Sequence, residues 1–326
     1  METTLNEILI TNILNYIPKN IKAVSYLMDL LGLSRESVYR RMRGEIPFSL
    51  DELAKLSIAL NFSIDEIIGG ARKRERVFFD LSSIESTDSV KSFYSMLEKF
   101  ANHIDGVFIS DTMETIMAMN RFHPTFLTSF DNLFRFTYYK WLHQNHEVSL
   151  KQYFSDIVIS PELNALKDSI RLSLEKVCNS ILILDPNVFL SLTKDIQYYH
   201  QRKLINDDEL IILKKELCHL IDSYERIAKT GVFNTNIRIY LYLSPLFINT
   251  NMGYTCLENT SQSIFWLFTI NPVIVSNRDI CELQKRWLNS MKRQSICITQ
   301  SNEIMQAEFF DKQYEYVNEI LNPKNK

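Results

Sequence analysis

Only three residues, Gly32-Leu33-Ser34, separate two stretches of helical periodicity, and so short a join forces the chain to turn sharply between two helices. Upstream, the spacing predicts a helix from about Ile21 to Leu31. Downstream, Ser34 is placed to cap a helix reaching Arg43, and Gly44 to close it. Gly32 supplies the positive φ that the turn requires. Leu5, Ile8, Leu9, Ile13 and Tyr16 predict an earlier amphipathic helix over 4–16, ended by Pro18. Two capping boxes, Ser49-Leu-Asp-Glu52 and Ser63-Ile-Asp-Glu66, predict a fourth helix to about Leu60 and a fifth to about Ile68. Five short helices make residues 1–70 an all-α module.

Gly69-Gly70 and the run Arg-Lys-Arg-Glu-Arg at 72–76 read as a hinge and a basic linker over 71–76. Beyond it the texture is mixed. Strands are expected at 76–81, 106–110 and 180–184, at four segments between 236 and 276, and at 295–299. Helices are expected at 89–104, 126–144, 162–180, 187–203, 207–230, 277–293 and 302–321. The class is therefore α+β: the helical module followed by a larger, mainly helical α/β domain over 77–326, with a subdivision near Gly231. No tandem repeat of helix pairs is present.

Seven glycines in 326 residues is far below the roughly 23 expected at average usage. No GxGxxG or GxxxxGK loop can be drawn, which argues against the common nucleotide hydrolases, kinases and dinucleotide oxidoreductases. The five cysteines form no CxxC pair and read as reduced thiols. The N-terminus lacks a basic n-region, and no apolar run approaches the 18 or so residues of a membrane span. A cytoplasmic protein without membrane contact is expected.

The segment LMDLLGLSRESVYRRMRGE, followed by PFSLDELAKLSIALNFSIDEI, resembles the Cro/CI-type (XRE) helix-turn-helix, and within it the BetR-like variant. The resemblance covers about 70 residues. Its apolar positions are Leu27, Leu31, Leu33, Val38, Met42, Leu53, Leu56, Leu60, Phe62 and Ile67. A helical wheel puts Ser34, Val38, Arg41 and Met42 on one side of the third helix and Glu36, Tyr39, Arg40 and Arg43 on the other, with Arg35 and Ser37 flanking. The resemblance implies double-stranded DNA as partner and a recognition helix that contacts it through Ser34, Arg35, Glu36, Ser37, Tyr39, Arg40 and Arg43. Arg35, Tyr39 and Arg40 are the strongest candidates. Lys22, Lys19 and the basic linker are expected on phosphates. The chain departs from the family pattern at Val24, Met28 and Arg41; the Arg41 stem is expected to snorkel along the core edge.

Other signals are weaker. His143, His146 and Glu147 form an HxxHE string that reads as surface or capping residues, not a metal site. Asp207, Asp208 and Glu209 read as helix-start carboxylates. Aromatic clusters at 134–141 and 265–268 are read as core or dimer interface, with a ligand pocket as the alternative. No catalytic string, cofactor motif or metal set is recognised. The expected function is a homodimeric one-component transcriptional regulator whose large domain dimerises and receives a small-molecule, peptide or protein effector. Two alternatives stand beside it: an α/β enzyme tethered to DNA, and a ligand-free interaction platform.

Overall fold

Thr4 opens the first helix with a reciprocal cap: its hydroxyl accepts from the Glu7 N–H while the Glu7 carboxylate accepts from the Thr4 N–H at 2.7 Å. The computed structural model describes residues 4–17, 22–60, 62, 64, 88–107, 114–145, 148–174, 179–233, 238–257, 260–267 and 271–323. They divide into two units, Met1–Phe79 and Asp80–Lys326.

The first unit contains α1 (Leu5–Tyr16), α2 (Ala23–Leu31), α3 (Arg35–Met42) and α4 (Leu50–Leu60). Gly32 ends α2 at φ +66°, and Ser34 caps α3 by accepting from the Ser37 N–H. Ser49 and Glu52 form the expected box at the start of α4. Leu9, Ile13, Leu27, Leu31, Val38, Phe48, Leu56 and Phe62 close around a shared core, with Leu33, Met42, Leu53 and Leu60 packed against it. Leu27 and Leu56 are fully enclosed, each worth about 1.5–3 kcal/mol of burial. The expected fifth helix with its Ser63 box, Ile67, Lys19, the Gly69-Gly70 hinge, the basic linker and the strand at 76–81 lie outside the described residues.

The second unit is built on a seven-stranded mixed sheet of order β6-β5-β4-β1-β2-β3-β7. Its strands are β1 (Glu114–Met119), β2 (Ser180–Leu184), β3 (Ile239–Leu243), β4 (Met252–Leu257), β5 (Thr260–Leu267), β6 (Asn271–Val275) and β7 (Ile296–Cys297). β1, β2 and β3 run parallel, and every other neighbouring pair is antiparallel. Its helices are α5 (Ser89–Val107), α6 (Asp131–Gln144), α7 (Pro161–Leu174), α8 (Val188–Gln201), α9 (Asp207–Thr230), α10 (Arg278–Gln294) and α11 (Glu303–Ile320).

Strand alternation divides the core in two. Met117, Met119, Leu182, Leu184, Leu241 and Leu243 face the large core shared with α5 to α9 and α11. Ile116, Ala118, Ile183 and Tyr254 face the other way, where Cys281 and Leu288 of α10 pack on them.

The structure corrects the sequence reading in several places. β1 was not expected, because Glu, Met and Ala are compatible with a helix; pairing with β2 on one side and β4 on the other makes it a central strand. The helix expected from Phe126 begins at Asp131, after a 3-10 turn at Pro124–Leu127. The Glu216 carboxylate of α9 sets that start, accepting from the Asn132 and Leu133 N–H groups, each at 2.9 Å. The run expected as a strand at 106–110 begins inside α5, and its remainder lies outside the described residues. The strand at 295–299 shrinks to the two residues of β7.

Candidate nucleic-acid interface

α3 turns one side inward and presents a charged face outward. Val38 is buried and Arg41 and Met42 are half-buried, whereas Arg35, Glu36, Tyr39, Arg40 and Arg43 are exposed. Ser34, assigned by the wheel to the inner side, is exposed, and its hydroxyl is used for capping. Ser37 is half-buried within hydrogen-bond distance of the Ser34 hydroxyl, at 3.2 Å. Lys22 is exposed at the start of α2.

Two contacts organise this face. The Arg35 guanidinium lies over the Tyr39 ring, 5.7 Å from its centroid, which orients both side chains on the first two turns. At the other end, the Glu45 carboxylate meets Arg43 at 2.7 Å and Arg40 at 3.5 Å. Gly44 makes this possible, because its φ of +76° turns the chain back so that the Glu45 N–H donates to the Arg40 carbonyl at 2.9 Å. Arg40 and Arg43 keep about half or more of their side-chain surface exposed, at 49% and 60%. The sequence reading gave Glu45 no role; its position one residue past the helix-closing glycine was the available signal.

Arg41 departs from the expectation of a snorkelling stem. Its guanidinium is held by the Glu52 carboxylate at the entrance to α4, at 2.9 and 2.8 Å, with both side chains 14% exposed. Burial would raise the Glu52 carboxyl, but the hydrogen bonds from Arg41 and the Ser49 N–H outweigh it and hold the group below its ordinary range. Arg41 therefore positions α3 against α4 and is unavailable to a ligand.

Outward arginines on the second helix of a sharply joined pair form a surface suited to the edge and backbone of a DNA groove. Residues 10–77 match the BetR domain. That family comprises helix-turn-helix DNA-binding domains, and the BetR segment contains α2, α3 and α4 in full. No curated protein and no solved structure matches the chain.

In the second unit, His143 is buried edge-to-face against Tyr139, with ring centroids 4.5 Å apart, and also meets Tyr199. Burial pulls its pKa below the ordinary value. It is a core residue, neither surface nor cap; His146 and Glu147 lie outside the described residues. Glu209 closes a capping box with Asn206, while Asp207 pairs with His200 at 2.8 Å. The aromatics of 134–141 fill the large core. Trp266 is buried, whereas Phe268 lies outside the described residues.

A cavity of about 250 Å³ opens between the large-core face of the sheet and α5, α7 and α9, toward the amino ends of β1, β2 and β3. Thr115, Ser180 and Ile239 contribute from those strand ends, Phe126 and Phe130 from the connection before α6, and Tyr224 and Ile227 from α9. Arg171 and Arg226 are the charged residues in this lining. No helix among the described residues is long and apolar enough to cross a membrane.

Proposed function

We propose that this protein is a sequence-specific transcription regulator of the cytoplasm that binds DNA as a homodimer through α3 and receives an effector in its second unit. The observation that carries the DNA reading is the coincidence of the BetR match with the exposed Arg35, Tyr39, Arg40 and Arg43 face. In this reading Arg35 and Arg40 read base edges, Arg43 and Lys22 neutralise phosphates, and Tyr39 holds Arg35 in place.

A single domain of this size covers only one half-site, and a pseudo-palindromic site calls for two copies about one helical turn apart. The outer face of α10 supports pairing. Leu283 and Trp287, one turn apart, are 57% and 59% exposed. Asp279 and Glu282 lie in the first half of α10 and Arg286 and Arg293 in the second, so an antiparallel second copy would meet opposite charge. The effector role rests on the cavity: among the described residues its lining is apolar and hydroxylic apart from Arg171 and Arg226, without the carboxylate, imidazole or thiol that acid–base or nucleophilic catalysis would use.

The test is selection of bound fragments from random DNA by the full chain, followed by affinity measurement across salt. Arg40→Ala combined with Arg43→Ala is expected to weaken the selected site and, through loss of the Arg43 phosphate contact, to lower the salt slope by about 1. Unchanged affinity and slope would remove α3 as the reading helix.

A further inference from the structure

The cavity of the second unit has a lining of defined chemistry. Its walls are apolar and aromatic, with Phe126, Phe130, Leu182, Ile227 and Ile239 drawn from sheet, helix and connecting segments. Hydroxyl-bearing residues break this surface, Thr115 and Tyr224 among them. Thr115 is 5% exposed, and its hydroxyl is enclosed without a hydrogen-bond partner among the described residues. Tyr224 is 6% exposed, and burial pushes its phenol well above the ordinary range, so it remains a neutral donor. A buried polar group left unbonded costs about 1–3 kcal/mol in a finished core.

The charge of the lining has one sign. Arg171 on α7 and Arg226 on α9 contribute to it, and no acidic residue does so among the described residues. Asp168 stands beside Arg171 at 3.8 Å, a long and open contact. Arg226 is exposed and has no ion-pair partner among the described residues. A cavity of about 250 Å³ corresponds to roughly eight water volumes, at about 30 Å³ each, and so suits a ligand of about eight to twelve non-hydrogen atoms.

From these features we infer that the cavity binds a small amphipathic carboxylic acid, its apolar body against the Phe126, Phe130 and Ile227 wall and its carboxylate at Arg226. The inference rests on the effector reading above and gives that effector a chemical class. No covalent step is involved.

The experiment is calorimetric titration of the full chain with octanoate, decanoate and the uncharged 1-decanol. Decanoate is expected to saturate one site per chain and to bind about tenfold or more tightly than 1-decanol, the usual range for a charge-assisted hydrogen bond. Arg226→Gln lies on the exposed side of α9 and is expected to remove that preference while leaving 1-decanol binding in place. Ile239→Phe, which fills the cavity, is expected to abolish binding of both. Absence of saturable decanoate binding, or a decanoate affinity indifferent to Arg226→Gln, overturns the assignment. The DNA readout separates this from the regulatory reading: Arg226-dependent binding that leaves affinity for the selected DNA unchanged supports the ligand site and overturns the effector role.

Discussion

The Arg41 guanidinium and the Glu52 carboxylate form a two-point hydrogen bond that joins α3 to the start of α4. Glu52 also accepts from the Ser49 N–H at 2.9 Å, so one carboxylate closes a helix cap and fixes the angle of its neighbour. Glu52→Ala removes both functions. We expect it to destabilise the first unit by about 1–2 kcal/mol, read from denaturant unfolding of the full chain. The sign with pH follows from the lowered carboxyl: the contribution is present above the ordinary value of 4.5 and is lost as pH falls through the lower folded value. A variant whose acid sensitivity equals that of the parent would contradict this.

In the proposed complex Glu45 would compete with DNA for two arginines. Its carboxylate occupies Arg43 at 2.7 Å and Arg40 at 3.5 Å, where a phosphate oxygen or a guanine edge would sit in the complex. Releasing them costs part of the binding free energy, although exposed pairs of this kind are each worth only about 0.2–1 kcal/mol. Glu45→Gln is expected to tighten binding to selected and unselected DNA alike by about two- to tenfold, with a larger gain at low salt. Equal or weaker affinity in a filter-binding series would show that the contact orients the arginines instead of withholding them.

What the sequence disclosed was local. Ser34, Gly32, Gly44 and the Ser49 and Glu52 pair act within one turn of their own position, and the structure uses all of them where helix periodicity places them. Distant partners were hidden. Glu114 to Met119 is a strand because β2 and β4 flank it, and α6 starts at Asp131 because Glu216, more than eighty residues away, supplies the cap. The outward arginines could be read from a wheel, but their shared partner Glu45 depends on the left-handed turn at Gly44. The cavity draws on α5, α7, α9 and five strands, and no linear pattern records that convergence.

His143 links pH to the stability of the second unit. It packs between Tyr139 and Tyr199, and burial lowers its pKa, so the folded state keeps it neutral where the unfolded chain would protonate it. A lowered histidine contributes stability above its ordinary value of 6.5 that is lost as pH falls from there toward the folded value. His143→Phe keeps a ring of similar shape and removes the titration. Thermal melts at about pH 7 and pH 5 are expected to differ less for the variant than for the parent. An identical difference would mean that other groups carry the acid sensitivity.

The exposed pair on α10 predicts how two chains meet. α10 buries Cys281, Gln284 and Leu288 against the sheet, and Leu283 and Trp287 keep more than half of their surface exposed. Asp279, Glu282, Arg286 and Arg293 have no ion-pair partners among the described residues, and antiparallel pairing of two copies brings acidic and basic halves together. Trp287→Glu places a charge at the centre of that contact without touching the side of α10 that packs on the sheet. The variant is expected to keep the helical circular-dichroism signal and to sediment as a monomer, and the parent is expected to sediment as the proposed dimer. Its affinity for a two-half-site DNA should fall by at least about tenfold, because the second half-site no longer binds as part of the same molecule. A Trp287→Glu protein that remains dimeric would exclude this face of α10 as the interface.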